Sequence, residues 1–156
     1  MKPDILFSDI LDQDVEVIVN AWNRNIIPWW LLLPQGVSGA IKKQGGHAPF
    51  KELSKYGPIP LGEVRLTSAG KLPFKAIVHV AGINMFWVAT RFSVTNSVRN
   101  AMRLINENGY QSAAFPLIGA GSGNRSEDWS MALMLEAFAS IESQARAVIV
   151  RYRKAG

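Results

Sequence analysis

The chain has 156 residues, a length that predicts one compact domain over residues 1–156 with a core of its own. Apolar residues make up 48% of the chain and charged residues 19%, which excludes a disordered or fibrous protein. No segment reaches the ~20 apolar residues of a membrane helix, so we expect no membrane partner. With no cysteine and two histidines, we also expect no metal site and a cytoplasmic location. We expect no cofactor.

The net charge of +5 points to an anionic partner, and the acidic residues are unevenly distributed. No Asp or Glu occurs in residues 17–51 or in residues 64–106. Surfaces built from these stretches would attract a phosphate ester or a nucleic acid, although a solvated basic face explains the same pattern.

Short apolar runs and helical patterns alternate along the chain. Strands are predicted over residues 5–7, 15–19, 64–66, 76–80, 112–115 and 147–150, because these runs are rich in branched apolar side chains. Helices are predicted over residues 37–41, 94–105 and 131–141, where apolar residues recur with helical spacing. This alternation predicts a layered α/β domain with a largely parallel sheet, whose ligands bind outside the carboxyl ends of the strands.

Three predicted loops hold polar or small residues next to these strands. Asn20 and Asn23 end the second strand, and their uncharged amides suit the hydroxyls of a sugar, although asparagine is also common at strand ends. Small residues from Gly36 to Ala40 open a helix whose free N–H groups could hold a phosphate. Residues 119–123 follow the fifth strand and could wrap a second phosphate. Each loop alone is also compatible with an ordinary turn or helix start.

Together and in this order, the loops are similar to those of the macrodomain family of ADP-ribose-binding modules. The similarity covers residues 5–149 and is carried by Ser8-Asp9-Ile10, NAWN at 20–23, Gly36-Val37-Ser38-Gly39-Ala40-Ile41, Ile77-Val78-His79-Val80 and Phe115-Pro116-Leu117-Ile118-Gly119-Ala120-Gly121. The resemblance implies a three-layer α/β/α sandwich around a mixed central sheet.

The resemblance also implies which residues bind the ligand. Asp9 would accept a hydrogen bond from the adenine amine, with the backbone of Ile10 beside it. Asn23 would contact the distal ribose, and Asn20 would help to shape the loop. The backbone of two loops would hold the phosphates, one on Gly36, Val37 and Ser38, and the other, with the distal ribose, on Gly119, Ala120, Gly121, Ser122 and Gly123.

Both a binder and a hydrolase remain open, because many members of this family remove ADP-ribose from proteins, nucleic acid ends or acetyl esters. In the best-known hydrolase branch an Asp follows the first glycine-rich loop, where this chain has Ser38. That branch has an aromatic residue in the second loop, where this chain has Ser122 or Gly123. The usual carboxylate is therefore missing, and Asn23 is the candidate catalytic residue that positions water, as in members that lack the Asp.

Four basic residues carry weaker signals. Lys42 and Lys43 could act as nucleophiles, as a lysine does in another branch of the family, but their place inside a helix favours a solvated face. His79 lies in an apolar strand and is interpreted as a satisfied core histidine. His47 follows two glycines and is interpreted as a loop residue.

An aromatic insertion lengthens the first loop. Residues 24–35 replace a shorter glycine-rich link of the family and include Trp29-Trp30-Leu31-Leu32-Leu33. These side chains could pack on the core, close over the distal ribose as a lid, or contact a partner. Phe86 or Trp87 could likewise cover the adenine, although a single aromatic residue more often packs.

The alternative function is a basic RNA- or DNA-binding module without ADP-ribose chemistry. It would use four basic residues near the C-terminus, Arg146, Arg151, Arg153 and Lys154. The sequence therefore leaves three kinds of partner open: ADP-ribose, an ADP-ribosylated protein or nucleic acid, and plain nucleic acid.

Overall fold

The structure, a computed structural model, describes residues 1–22, 36–82, 88–120 and 125–152. Within these ranges the strands are β1 (Asp4–Ser8), β2 (Val17–Trp22), β3 (Val64–Thr67), β4 (Ala76–Ala81), β5 (Ser112–Phe115) and β6 (Arg146–Tyr152). The helices are α1 (Gly36–Gly45), α2 (Ala48–Ser54), α3 (Arg91–Glu107) and α4 (Glu127–Ala139), with a 3-10 turn at Ile10–Asp12. Every predicted strand and helix has its counterpart, so the alternating pattern is confirmed.

The six strands form one sheet in the order β1-β6-β5-β2-β4-β3. The neighbouring pairs β1–β6, β6–β5, β5–β2 and β2–β4 run parallel. Strand β3 runs antiparallel to β4. Only residues 68–75 join β3 to β4, and a parallel pair would need a crossover of about a dozen residues or more. The sheet is therefore mixed, as the family resemblance implied, with one antiparallel edge strand on an otherwise parallel sheet.

Helices cover both faces of the sheet. Along β2, Val17 and Val19 belong to one buried core, whereas Ile18 and Trp22 belong to the other, as expected of a strand that is buried on both sides. The first core also contains the apolar side chains of α3 and α4, and we call it the α3/α4 face. The second contains those of α1 and α2, and we call it the α1/α2 face. The three-layer α/β/α sandwich is confirmed.

The ends of the long helices follow capping signals in the sequence. Ser126 is the N-cap of α4, because its side chain accepts a hydrogen bond from the N–H of Trp129. Thr90 and Ser93 form a capping box at the start of α3. At the other end of α3, Gly109 has a φ of +71°, the left-handed conformation that commonly terminates a helix.

The sequence patterns do not predict α2 or the 3-10 turn, because neither is long enough to show a helical repeat. Helix α2 has Pro49 in its first turn and buries Phe50 and Leu53. His47, interpreted from the sequence as a loop residue, precedes this helix as its exposed N-cap.

Candidate functional site

The carboxyl ends of β2 and β5 lie side by side. Val17 and Ile18 of β2 pair in parallel with Ala113 and Ala114 of β5. The chain that follows β2 leads to α1 on one face of the sheet, and the chain that follows β5 leads to α4 on the other. Two connections that diverge from neighbouring parallel strands mark the place where ligands bind in open α/β sheets. Both predicted phosphate loops start there.

Helix α1 directs its first turn toward this edge of the sheet. The helix begins with Gly36, Val37 and Ser38, whose N–H groups precede any acceptor within the helix. The positive end of the helix dipole lies at the same place, and no acidic residue occurs in the turn. A Cβ placed on Gly36 would meet nothing within 4 Å. An anion can therefore approach this backbone without meeting a carboxylate of the turn.

The second predicted phosphate loop starts from a tightly packed glycine. Gly119 has a φ of +94°, and an added Cβ would lie 2.7 Å from the Cβ of Ala89. The next residue, Ala120, forms a bridge with Arg125. The N–H of Arg125 also donates to the carbonyl of Gly119 at 3.1 Å. The two ends of the loop are thus held together by backbone contacts.

Asp9, the predicted adenine contact, follows β1 at the same edge, because β1, β6, β5 and β2 all run parallel. Its carboxylate accepts a hydrogen bond from the N–H of Leu11 at 2.9 Å and thereby caps the 3-10 turn. The side chain of Gln13 donates to the Asp9 carbonyl at 2.9 Å. Asp9 is half-buried and Ile10 beside it is buried. The carboxylate is therefore held in a defined orientation.

Asn20 lies inside β2 rather than at its end, because the strand continues to Trp22. Its side chain is 0% exposed. The Nδ2 atom lies 3.1 Å from Nδ1 of His79, its register partner on β4, and Oδ1 accepts a hydrogen bond from Ser38 Oγ at 2.8 Å. A buried amide is tolerated here because both of its ends are bonded. The contact with Ser38 joins Asn20 to the first turn of α1, and the shaping role that the resemblance implied for Asn20 stays a prediction.

His79 is the buried centre of this group. Its Nε2 atom lies 2.8 Å from Oγ1 of Thr67, and the ring of Phe50 packs edge-on at a centroid distance of 6.0 Å. Burial lowers the pKa of His79 to about 3, so the imidazole is neutral at physiological pH. The interpretation of His79 as a satisfied core histidine is confirmed. We call the connected side chains of Ser38, Asn20, His79 and Thr67 the Ser38 relay.

Lys42 is not a solvated helix residue, contrary to the sequence interpretation. Its Nζ atom lies 5.0 Å from the ring centroid of Phe50 and 5.5 Å from that of Trp22. Burial lowers the pKa of Lys42. The difference arises because α1 packs against the sheet, so the lysine ammonium lies over two aromatic rings. Lys43 is exposed, as expected.

The basic residues near the C-terminus are engaged within the domain. Arg151 pairs with Glu127 at 2.8 Å, and its guanidinium lies 5.0 Å from the ring centroid of Phe7. Arg146 donates to the carbonyl of Asp14 at 3.1 Å. Both arginines therefore have intramolecular partners, which weakens the case for this region as a nucleic-acid surface.

Several predicted site residues lie outside the described residues, and their roles stay predictions. They are Asn23, Phe86, Trp87, Gly121, Ser122, Gly123, Arg153, Lys154 and the insertion at 24–35 with its Trp29-Trp30-Leu31-Leu32-Leu33 segment. Within the part of the chain that the structure describes, no helix has the length and apolar character of a membrane span. The same part contains no group of three or more His, Asp or Glu side chains that could hold a metal ion.

Comparison with known sequences gives one family and several relatives. The family model described as "Macro domain" matches residues 19–134. A protein of Sulfurisphaera tokodaii without an assigned function is 36% identical over 121 residues, which cover 75% of this chain and 63% of that protein. An O-acetyl-ADP-ribose deacetylase of Klebsiella pneumoniae is 33% identical over 128 residues, which cover 78% of this chain and 70% of that protein. The match thus spans less than two thirds of the Sulfurisphaera relative.

Solved structures agree with the sequence comparison. The macrodomain of Oceanobacillus iheyensis with ADP has a TM-score of 0.80 and 29% identity, covering 95% of this chain and 81% of that one. A variant of the same macrodomain with ADPR has a TM-score of 0.81 and 29% identity, covering 95% of this chain and 83% of that one. Because the family model covers most of the sequence and the fold agrees, this chain belongs to the macrodomain family.

Proposed function

We propose that this chain binds ADP-ribose, both free and attached to proteins or nucleic acids. The observation that carries the proposal is that two backbone segments start at the carboxyl ends of β2 and β5, the first turn of α1 and the loop that begins at Gly119. Neither residues 23–41 nor residues 116–124 contain an acid that would repel a diphosphate. The related Oceanobacillus macrodomain with ADPR supports the same class of ligand.

In this proposal the diphosphate lies between the two segments. The N–H groups of Gly36, Val37 and Ser38 bind one phosphate, where the helix dipole adds ~0.3–1 kcal/mol. Residues 119–123 bind the other phosphate and part of the distal ribose. The adenine amine donates to the carboxylate of Asp9, and Asn23 contacts the distal ribose.

Calorimetry with ADP-ribose tests this arrangement. We expect saturable binding to the wild-type protein and an increase in Kd of about tenfold for Asp9→Ala, because a hydrogen bond to a charged group is lost. The selectivity for adenine over hypoxanthine should fall in the same variant, since the carboxylate accepts from the exocyclic amine. Asp9→Asn is the matched control for the local structure, because its amide oxygen can still accept from the N–H of Leu11 and cap the 3-10 turn. Absence of saturable heat with wild-type protein would contradict the proposed function.

A second candidate is hydrolysis of an ADP-ribosyl bond. It is favoured by the relatives named O-acetyl-ADP-ribose deacetylase, at 33% identity. Because Ser38 stands where the hydrolase branch has its Asp, Asn23 is the residue that would position water. Incubation with O-acetyl-ADP-ribose and with mono-ADP-ribosylated proteins and nucleic acids would reveal the bond that is cleaved. Turnover that survives Asn23→Ala would contradict the role of Asn23.

Plain nucleic acid is the alternative partner, and it rests on the net charge of +5. Oligonucleotide binding that falls steeply with salt and persists in excess ADP-ribose would replace the proposed function. Oligonucleotide binding that requires an ADP-ribosyl group would instead agree with it.

A further inference from the structure

The inner end of the Ser38 relay determines the direction of its hydrogen bonds. Oγ1 of Thr67 donates to the carbonyl of Ser68 at 2.9 Å, and a carbonyl can only accept. A hydroxyl has a single proton, so Thr67 must accept from Nε2–H of His79 at 2.8 Å. The lone pair of the neutral imidazole is then on Nδ1.

Asn20 transmits this direction to helix α1. An acceptor at Nδ1 of His79 requires the amide nitrogen of Asn20 opposite it, at the observed 3.1 Å. The amide oxygen then faces Ser38, which donates its only proton at 2.8 Å. The carbonyl of Ala21, at 3.4 Å, is a weaker second acceptor for the same proton. Each member of the relay therefore donates toward β3 and away from the first turn of α1.

We propose that the Ser38 relay makes Oγ of Ser38 a hydrogen-bond acceptor at the ligand site, where it receives an O–H group. Two O–H groups fit this description, a hydroxyl of the bound ribose and a water molecule next to it. The inference rests on the proposed ADP-ribose site and adds a side-chain contact to the backbone contacts of α1. Ser38 touches the ligand or its water, whereas Asn20, His79 and Thr67 are positioning residues.

Burial makes Ser38 the accessible end of the relay. Asn20 and His79 are 0% exposed and Thr67 is 5% exposed, whereas Ser38 is half-buried. In a low-dielectric interior successive hydrogen bonds polarise one another, so a hydroxyl that donates inward becomes a better acceptor. The relay thus places an uncharged oxygen acceptor in the first turn of α1.

The far end of the relay is anchored as well. Glu52 of α2 accepts from the N–H of Ser68 at 3.0 Å and also from the Ser68 hydroxyl. These contacts hold the Ser68 backbone, whose carbonyl accepts from Thr67. The relay therefore connects the first turn of α1 with α2 through the interior of the α1/α2 face.

NMR of the imidazole nitrogens tests the direction of the relay. In wild-type protein we expect the proton of His79 on Nε2 between about pH 5 and pH 8, with or without ADP-ribose. Thr67→Val removes the acceptor of this proton while it keeps the shape of the side chain. We expect the proton to move to Nδ1 in that variant, with the amide of Asn20 turned over. Protonation of Nδ1 in wild-type protein would overturn the proposal, because Asn20 would then donate to Ser38.

Calorimetry with ADP-ribose tests the acceptor role. We expect Ser38→Ala to weaken binding about fivefold and Ser38→Thr, which keeps the hydroxyl, to remain within about twofold of wild type. Thr67→Val should weaken binding as much as Ser38→Ala, and Thr67→Ser should restore it. The two losses should not add in the double variant, because both changes act through one hydroxyl.

Ser54→Ala is the matched control, since the hydroxyl of Ser54 is exposed at the end of α2 and bonds to the carbonyl of Lys51. Thermal unfolding verifies that each variant is folded at the assay temperature. If Thr67→Val does not fold, Ser38→Ala and Ser38→Thr still decide the question. Unchanged affinity in Ser38→Ala, or losses that add, would overturn the proposal.

Analogues of ADP-ribose that lack one hydroxyl of the distal ribose separate the two donors. If that hydroxyl binds Ser38, Ser38→Ala does not change the affinity for the analogue that lacks it. If water binds Ser38, Ser38→Ala weakens the binding of every analogue. Failure of wild-type protein to bind ADP-ribose would overturn the proposed function and, with it, the proposal that Ser38 contacts this ligand or its water. A proton on Nδ1 would instead overturn the relay alone, so the two failures are distinguishable.

Discussion

The two faces of the sheet are built in different ways. The α3/α4 face is filled by aliphatic and aromatic side chains, with the rings of Phe115 and Phe138 at a centroid distance of 5.1 Å. Helices α3 and α4 also bury hydroxyls, among them Ser93 and Ser130, which donate to backbone carbonyls. The α1/α2 face has a core of similar kind, but its buried polar side chains Asn20, His79 and Thr67 bond to one another. The two faces therefore have different roles: the α3/α4 face supplies stability, and the α1/α2 face connects the interior to the start of α1.

Phe138→Ala is the strongest test of this difference between the two faces. Removing a buried ring from the α3/α4 face should lower the free energy of unfolding by about 3–5 kcal/mol, because both the buried area and the ring contact are lost. The Kd for ADP-ribose, measured on folded protein, should not change. Urea denaturation and calorimetry check the two values, with Phe138→Leu as a milder control. A large loss of affinity in the folded variant would contradict the different roles of the two faces.

Between about pH 6.5 and pH 4.5, the pH dependence of stability should come from the α1/α2 face, since the lowered pKa of Glu16 acts only below this range. Because burial lowers the pKa of folded His79 from 6.5 to about 3, the unfolded chain takes up this proton first as the pH falls. The stabilisation is present in full above about pH 6.5 and decreases by up to about 1.4 kcal/mol per pH unit toward pH 3. Urea denaturation between about pH 6.5 and pH 4.5 should show the slope in wild-type protein and not in His79→Gln. The same slope in both proteins would assign the effect to other groups.

Arg91→Gln should have the smallest effect of the three changes. Arg91 pairs with Glu136 between α3 and α4, with the two side chains 66% and 51% exposed. Exposed ion pairs contribute ~0–1 kcal/mol, so we expect a change within about 0.5 kcal/mol in the free energy of unfolding and none in affinity. A change well above this range would show that the outer surface of the α3/α4 face contributes to stability as its core does.

Much of the fold could be predicted, because the strands and long helices carry their own patterns. The runs at 76–80 and 112–115 match β4 and β5, and Ser126 and Gly109 mark helix ends where the structure has them. The order of the loops also identified the family. These features are local in sequence, so periodicity and capping residues are enough to find them.

The relay could not be predicted from the sequence, because its members come from separate elements. Thr67 ends the short strand β3 and meets His79 only after β3 has paired antiparallel with β4. Asn20 had the sequence signature of a strand end, but pairing with β4 extends β2 to Trp22 and turns the amide into the interior. The prediction for Lys42 was wrong for a similar reason, since only tertiary packing brings aromatic rings next to its ammonium group.

Gly119 ties the second loop to the beginning of α3. A methyl group at this position would lie 2.7 Å from Ala89, 3.3 Å from Val94 and 3.4 Å from Trp129. The loop backbone and the start of α3 are therefore closely packed, and one cannot shift without the other. Anyone who redesigns the ligand preference of this domain has to place new side chains beyond position 119. A lineage that gained a side chain at that position would first have to rebuild the start of α3.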